Sequence, residues 1–367
     1  MKIEVRPELK GIKPYELGQT IEDIKRLYGI KTVRKLSDNE NVYGTSKSAA
    51  AAAAEAARNL SLYPDGAGAL LIRRLAEHYG ISEKYFLLSN GSEEIIRLLV
   101  RACITRGDEA VMASLTFPRY QTNTEIEGGR AVTVPLMDGR HDLAGMLASV
   151  TPRTKMIFVC NPNNPTGTIA GREELQSFIQ AVPPHILIVM DEAYCEYADS
   201  KEYLNTLPLI HTVPNLVILR TFSKIYGLAG LRIGYGIMSE AIAAELHKVR
   251  DVFNVNALAQ AAAAAALDDQ EFIGECAEKN RTERGYLQDK LQCLGILSFP
   301  SQTNFLFAFG QEPVIPVLMR NGVLVRRIPF QGYKEAFRIT LGTREDHDHI
   351  VDVLTKHLGE RGVQGWS

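Results

Sequence analysis

Cysteine is scarce in this 367-residue chain and never forms a CxxC pair. The five present, Cys103, Cys160, Cys195, Cys276 and Cys293, are scattered and odd in number, a pattern that suggests reduced thiols and no structural zinc. Cys195 follows Tyr194 and reads as a buried bystander beside a candidate site. A surplus of charge is also missing: 41 basic and 43 acidic residues leave a formal net charge of −2, which offers nucleic acid no electrostatic hold. No apolar run is as long as a membrane span, and the opening Met1-Lys2-Ile3-Glu4-Val5-Arg6-Pro7 has no leader-like apolar core. A cytoplasmic protein is expected. GxxxxGK[ST] and GxGxxG are both absent, so the loop around Gly91 does not read as a nucleotide site. There is no linker rich in Pro, Gly or Ser, and no repeat at solenoid spacing. His347-Asp348-His349 is the only metal-like cluster, but positions i and i+2 do not share a helix face. It reads as the solvated start of an ordinary helix, between Arg344-Glu345-Asp346 and the apolar stripe from Ile350.

What is present is an ordinary globular composition, 46% hydrophobic and 23% charged, at a length that suits two domains. Between Tyr63 and Met238, β-type runs alternate with helical patterns: Ala110–Ala113, Ala131–Val134, Met156–Cys160, Ile186–Met190 and Leu216–Leu219. Continuous apolar runs of this kind predict a parallel sheet covered on both faces, an α/β fold. Residues 1–44 read as an arm, 45–245 as the large α/β domain and 246–367 as a smaller α+β domain packed closely on it. Ser46–Leu60 and Ala261–Ala266 are alanine-rich and helix-favouring. Glu240–Asp251 reads as a connecting helix and Gln270–Leu294 as a charged one. Asn304–Phe309, Val323–Arg326 and Phe337–Thr340 supply strands.

Three polar segments sit directly after apolar strand candidates. Asn161-Pro162-Asn163-Asn164-Pro165-Thr166-Gly167 follows Met156–Cys160, and Asp191-Glu192-Ala193-Tyr194 follows Ile186–Met190. Thr221-Phe222-Ser223-Lys224 follows Leu216–Leu219 and leads to Arg232 within a glycine-rich stretch. Ligands of open α/β sheets bind at the carboxyl ends of strands. A lysine flanked by hydroxyls, with a guanidinium nearby, suits a phosphate-bearing aldehyde: the amine forms an imine and the other groups hold the phosphate. Asn90-Gly91-Ser92-Glu93-Glu94 opens a helical pattern, and its free amides at Gly91, Ser92 and Glu93 add an anion pocket.

In order, spacing and strand context these segments resemble the fold-type I, pyridoxal-phosphate-dependent aminotransferases, and within them the histidinol-phosphate aminotransferases, over nearly the whole chain. The resemblance implies a mostly parallel seven-stranded sheet sandwiched by helices, and pyridoxal 5'-phosphate as cofactor. It implies that Lys224 carries the cofactor as an imine and moves a proton once released. Asp191 faces the pyridinium nitrogen, while Tyr194 and Asn164 donate to the phenolate oxygen. Ser223, Arg232 and Thr221 join Gly91, Ser92 and Glu93 around the phosphate. Phe117 stacks on the ring, with Tyr120 as the alternative, although relatives often carry Tyr at the Phe117 position after a Pro where this chain has Leu115. Tyr63 matches a tyrosine lent to the partner subunit's cofactor, which implies a homodimer with shared sites.

By the same resemblance Arg338 grips the substrate α-carboxylate. Tyr15, Asn39, Glu40 and Arg326 line the side-chain pocket, the register leaving Arg327 as the other choice. The implied reaction is transamination between L-histidinol phosphate and 2-oxoglutarate. An aromatic amino-acid aminotransferase is the alternative within the fold. A related lyase or decarboxylase, and a non-catalytic pyridoxal-phosphate-binding protein, are the remaining readings.

Overall fold

In the computed structural model, which describes residues 4–364, the chain first contributes a two-residue strand, β1 (Arg34–Lys35). Met1–Ile3, part of the opening weighed for a leader, lie outside the described residues. The next strands are β2 (Phe86–Ser89), β3 (Glu109–Ala113), β4 (Arg130–Val134), β5 (Thr154–Cys160), β6 (Leu187–Asp191), β7 (Leu216–Thr221) and β8 (Gly234–Met238). They form one 7-stranded sheet in the order β2-β8-β7-β6-β5-β3-β4. All neighbours are parallel except β8, which runs against both β2 and β7.

The helices, in chain order, are α1 (Ile21–Tyr28), α2 (Lys47–Ala56), α3 (Ala69–Tyr79), α4 (Ser92–Cys103), α5 (Arg119–Ile126) and α6 (Leu143–Ala148). They continue as α7 (Arg172–Ala181), α8 (Glu240–Val249), α9 (Ala257–Asp268), α10 (Gln270–Cys293), α11 (Ile315–Arg320) and α12 (Arg344–Gln364). Side chains alternate across each strand, and both faces of the sheet are buried. Ile157 and Val159 of β5 pack with Leu75 of α3 and Phe178 of α7. Met156 and Phe158, from the same strand, pack with Leu98 of α4 and Leu246 of α8 on the other side. The alanine runs lie in α2 and α9, which pack on each other, and α9 also meets α3. Ala259, Ala262, Ala263 and Ala266 are buried there, small side chains that let the helices approach closely.

The last third adds β9 (Leu297–Ser298), β10 (Phe305–Gly310), β11 (Val323–Leu324), β12 (Arg326–Arg327) and β13 (Glu335–Thr340). β12-β13-β10-β9 form an antiparallel sheet whose Phe337 and Ile339 pack with Leu287 of α10, Leu318 of α11 and Leu354 of α12. The single strand expected over Val323–Arg326 is two pieces. β11 pairs with β1 and β12 with β13, so the chain changes partner at Val325.

His347 is a correction to the sequence reading. Its ring is fully buried, accepting at Nε2 from the amide of Gly342 (2.8 Å) and meeting Glu283 at Nδ1 (2.8 Å). The partner lies on α10, far off in sequence, so helical spacing alone gave no sign of it. Among the described residues no group of His, Cys, Asp or Glu is arranged to hold a metal, and no helix is long and apolar enough to cross a membrane.

The ends of β6 and β7 are braced from behind. Arg220 meets Glu192 at 2.7 Å with both side chains buried, and its guanidinium lies over the Tyr79 ring at 5.1 Å. Removing one partner of such a pair strands the other charge in the interior. Arg220→Met is therefore expected to cost ~3–5 kcal/mol. Urea unfolding would read this as an earlier midpoint, whereas Lys248→Met, at an exposed pair on α8, leaves the midpoint in place.

Candidate active site

Strand register lines up the polar segments. Cys160 pairs with Asp191, and Asp191 with Leu219, so β5, β6 and β7 finish side by side. Each strand then runs out into one of the polar loops. A cavity of about 250 Å³ opens at this edge, lined in part by Ser92, Glu93, Phe117, Asn164, Asp191, Tyr194, Thr221, Ser223, Lys224, Arg232 and Arg338. Tyr15 and Asn39 reach it from the arm.

One wall is the start of α4. Its cap residue is Gly91, at φ 78°, so no side chain closes the helix end. The first-turn amides are left for an anion, and the helix dipole favours one. A Cβ on Gly91 would lie 2.6 Å from Nη2 of Arg232, so this glycine also makes room for the guanidinium. Arg232 in turn donates to Ser223 Oγ at 3.2 Å.

The floor is built on β6. Asp191 is buried, and burial raises its pKa while hydrogen bonds from Tyr120 and Ala193 pull it back. Tyr120 donates its hydroxyl to Asp191 Oδ2 at 2.6 Å and stacks on Phe158 at 4.6 Å. It lies beneath the cavity, whereas Phe117 lines it. Lys224 Nζ stands 5.6 Å from the centre of the Tyr194 ring and donates to the Asp38 carbonyl at 3.3 Å. Burial, then the positive charges of Arg338 and Arg232, push its amine down to about 8.

The Asn161–Gly167 loop is held by Asn163. Its Oδ1 accepts from Thr116 Oγ1 (2.8 Å), and its Nδ2 donates to the Leu115 carbonyl (3.1 Å) and Thr166 Oγ1 (2.9 Å). This ties the segment carrying Phe117 to the one carrying Asn164. Arg338, from β13, donates to Asn164 Oδ1 at 2.6 Å and to the Ser37 carbonyl at 2.7 Å.

A second cavity, of about 280 Å³, adjoins the first through Tyr15, Phe117, Asn164 and Arg338. Arg326 lines it, and as the register partner of Arg338 on β13 it projects from the same face. Its guanidinium lies over the Tyr15 ring at 5.4 Å. Arg327 also borders the cavity but is paired with Glu335 at 2.6 Å.

Three expected site residues, Gly91, Glu40 and Tyr63, line neither cavity. Glu40 is held by Lys35 at 2.8 Å. Tyr63 is 83% exposed and stacks on Phe253 at 4.7 Å. Cys195 does not line either cavity, whereas Cys160 lines the first. Sequence reasoning missed Asp38 and Cys160 as lining residues, and Tyr120 and Asn163 as their support. Phe117 precedes α5 and Tyr120 lies in its first turn, so no helical spacing in the sequence distinguishes their roles.

With this geometry in view, comparison with known proteins is specific. The chain belongs to the aminotransferase class I and II family, whose model matches residues 31–354. It is 44% identical to the histidinol-phosphate aminotransferase of Geobacillus sp. (strain WCH70), across 98% of this chain and 99% of that protein. It is 42% identical to the same-named enzyme of Bacillus velezensis, across 97% of this chain and 100% of the relative. Among solved structures, histidinol-phosphate aminotransferase from Sinorhizobium meliloti in complex with pyridoxal-5'-phosphate superposes with a TM-score of 0.91 at 29% identity, covering 98% of this chain and 99% of that one. Aspartate aminotransferase from Thermus thermophilus with maleate (TM-score 0.82, 21% identity, 97% and 99% covered) shares the fold.

The lowered pKa of Lys224 is open to direct measurement. In the protein stripped of any bound carbonyl compound, its acylation by an amine-directed reagent is expected to rise with pH and level off above about 8. Solvated lysines keep rising toward roughly 10.4. Peptide-resolved labelling across pH would show Lys224 saturating with its neighbours if the site did not depress it.

Proposed function

We propose that this chain is a pyridoxal-phosphate-dependent histidinol-phosphate aminotransferase, converting L-histidinol phosphate and 2-oxoglutarate to imidazole acetol phosphate and L-glutamate. The observation that carries it is Lys224, an amine with lowered pKa, standing in one cavity between an uncapped helix start with Arg232 and the buried carboxyl of Asp191. Those three features match the aldehyde, the phosphate and the ring nitrogen of pyridoxal phosphate, so the residues present fit the cofactor. When bound, that group supplies the electron-withdrawing ring and the carbon through which an amino group passes between substrates.

The positions of the residues support the following roles. Lys224 would hold the cofactor through its amine and would carry the proton of the substrate α-carbon. The Asp191 carboxylate, oriented by Tyr120, keeps the ring nitrogen protonated. Asn164 and Tyr194 donate toward the ring's phenolic oxygen, and Phe117 supports its face. Gly91, Ser92, Glu93, Thr221, Ser223 and Arg232 surround the phosphate. Arg338 takes the carboxylate of glutamate and 2-oxoglutarate, and Arg326 with Tyr15 takes the phosphate-bearing arm of histidinol phosphate. The register pair Arg326 and Arg338 supports this, since two guanidiniums on one face suit anionic substrates. Asn39 lines the cavity that would take the cofactor, whereas Glu40, held by Lys35, lines neither cavity and takes no part in this reading.

The reading includes the division into an arm (1–44), a large cofactor-binding part (45–245) and a smaller part (246–367), and a cytoplasmic setting, which the five unpaired cysteines suit. It also includes a homodimer. Leu60, Leu62, Tyr63, Leu70, Val252 and Phe253 are exposed, and a second copy covering them would bring a tyrosine to the outer side of the phosphate cradle. In that case Tyr63→Ala and Lys224→Ala chains, each inactive or nearly so alone, regain activity when mixed through unfolding and refolding. No recovery on mixing would oppose shared sites.

Substrate choice is tested by single-turnover absorbance on the cofactor-loaded protein. L-histidinol phosphate is expected to discharge the visible band far faster than phenylalanine or tyrosine, and Lys224→Ala to abolish the band. Faster discharge by the aromatic amino acids would move the assignment to an aromatic amino-acid aminotransferase.

A further inference from the structure

Asn39 is buried, and every polar group it has is engaged. Its backbone amide donates to Thr340 Oγ1 at 2.9 Å, and its carbonyl accepts from Asn304 Nδ2 at 3.1 Å. Its backbone is left-handed, φ 58°, a conformation that Asn and Asp tolerate better than most residues. The orientation of its side-chain amide follows from Thr340. That hydroxyl already accepts the Asn39 amide proton and has its own proton to give, and Asn39 Oδ1 lies 3.4 Å away. With Oδ1 facing Thr340, Nδ2 faces Tyr194 and donates to its hydroxyl oxygen at 2.9 Å.

An amide nitrogen can only donate. The Tyr194 oxygen must therefore accept from Asn39, and the single phenolic proton is left to point elsewhere. The charged or titratable groups that face Tyr194 are Lys224, Arg338, Asp191, Cys160 and Tyr197. Arg338 is a cation with nothing to accept a proton, and Lys224 on the reading above is taken up by its bond to the cofactor. Asp191 accepts from Tyr120 and the Ala193 amide, Cys160 directs its thiol at the Pro162 carbonyl, and among the described residues none of these groups nor Tyr197 shares a hydrogen bond with the Tyr194 hydroxyl.

We propose that Asn39 is a positioning residue that fixes the direction of the Tyr194 proton, turning that hydroxyl into an obligate donor toward the cavity. On the reading above, the acceptor is the phenolic oxygen of bound pyridoxal phosphate. The donated hydrogen bond keeps that oxygen anionic and so lowers the pKa of the cofactor's bond to Lys224. Thr340 lies on β13 two residues beyond Arg338, so the strand that holds the substrate carboxylate also sets the amide.

The test is the pKa of the visible band of the cofactor-loaded protein, read by titrating absorbance. Asn39→Asp keeps size and backbone conformation but substitutes an acceptor, drawing the Tyr194 proton away. It is expected to raise that pKa by about one unit or more. A carboxylate near Lys224 also raises it by charge alone, so the same substitution is made in Tyr194→Phe, where no phenolic proton remains to be turned. The rise must be smaller there by roughly half a unit or more, a coupling that a purely structural or Coulombic role would not produce. Asn39→Gly, unstrained at this φ, leaves the phenol free to rotate, and is expected to raise the pKa less than Asn39→Asp. Equal shifts from Asn39→Asp in both backgrounds, or no shift in the first, would overturn the proposal while leaving the cofactor assignment standing. Absence of any visible band in the unmodified protein would instead remove the cofactor reading, and this one with it.

Discussion

The structure depends on parallel strands that end in step. β5, β6 and β7 are buried on both faces, so their middles are apolar, with polar side chains confined to the strand ends, and they pair their backbone groups with one another. Polar chemistry can begin only where the pairing stops. Because the register is tight, it stops at nearly one level, and Asp191, Tyr194, Thr221, Ser223, Lys224 and Asn164 gather around one cavity despite their separation in sequence. The apolar sheet also supplies the low-polarity setting in which a buried carboxyl and a crowded amine depart from their solution behaviour.

Around that edge the supporting bonds are mostly neutral. Asn163 ties two loops through amide and hydroxyl contacts, and Tyr120 holds Asp191 without a countercharge. Two groups of full charges stand out beside them. Arg220 and Glu192 brace the strand ends from behind, and Arg232, Arg326 and Arg338 stand where anions arrive. Neutral supports leave those cations without competing carboxylates in close contact, apart from the Glu335 held by Arg327 to one side.

The sheet and the first tier of the site were legible because local signals and tertiary placement coincide there. A continuous apolar run followed by a polar loop names both a buried strand and the residue at its mouth, as with Met156–Cys160 and Asn164. Legibility failed where a residue's role is set by a distant partner. His347 looked solvated by helical spacing, yet Glu283 on α10 buries it. Tyr120 was weighed only as an alternative ring, because nothing local shows that Asp191 lies beneath its hydroxyl. Val323–Arg326 read as one strand since pattern cannot show that its halves pair with different sheets. Asn39 was placed in the substrate pocket by resemblance, and its contact with Tyr194 depends on a backbone turn that composition does not reveal.

β8 is the one strand of the central sheet that runs backwards, and this bears on more than topology. It pairs with β7 from Thr221↔Gly234 inward, so the loop carrying Lys224 and Arg232 leaves and re-enters adjacent, hydrogen-bonded strands. Amine and guanidinium thereby share one anchor. When the sheet breathes, both ends of that loop travel together, and the spacing between the group that would take an aldehyde and the group that would take a phosphate is preserved. The loop acts as a ruler whose length is set by covalent chain, while the Lys224 contact with the Asp38 carbonyl links one of its marks to the segment that Arg338 of the smaller sheet also grips.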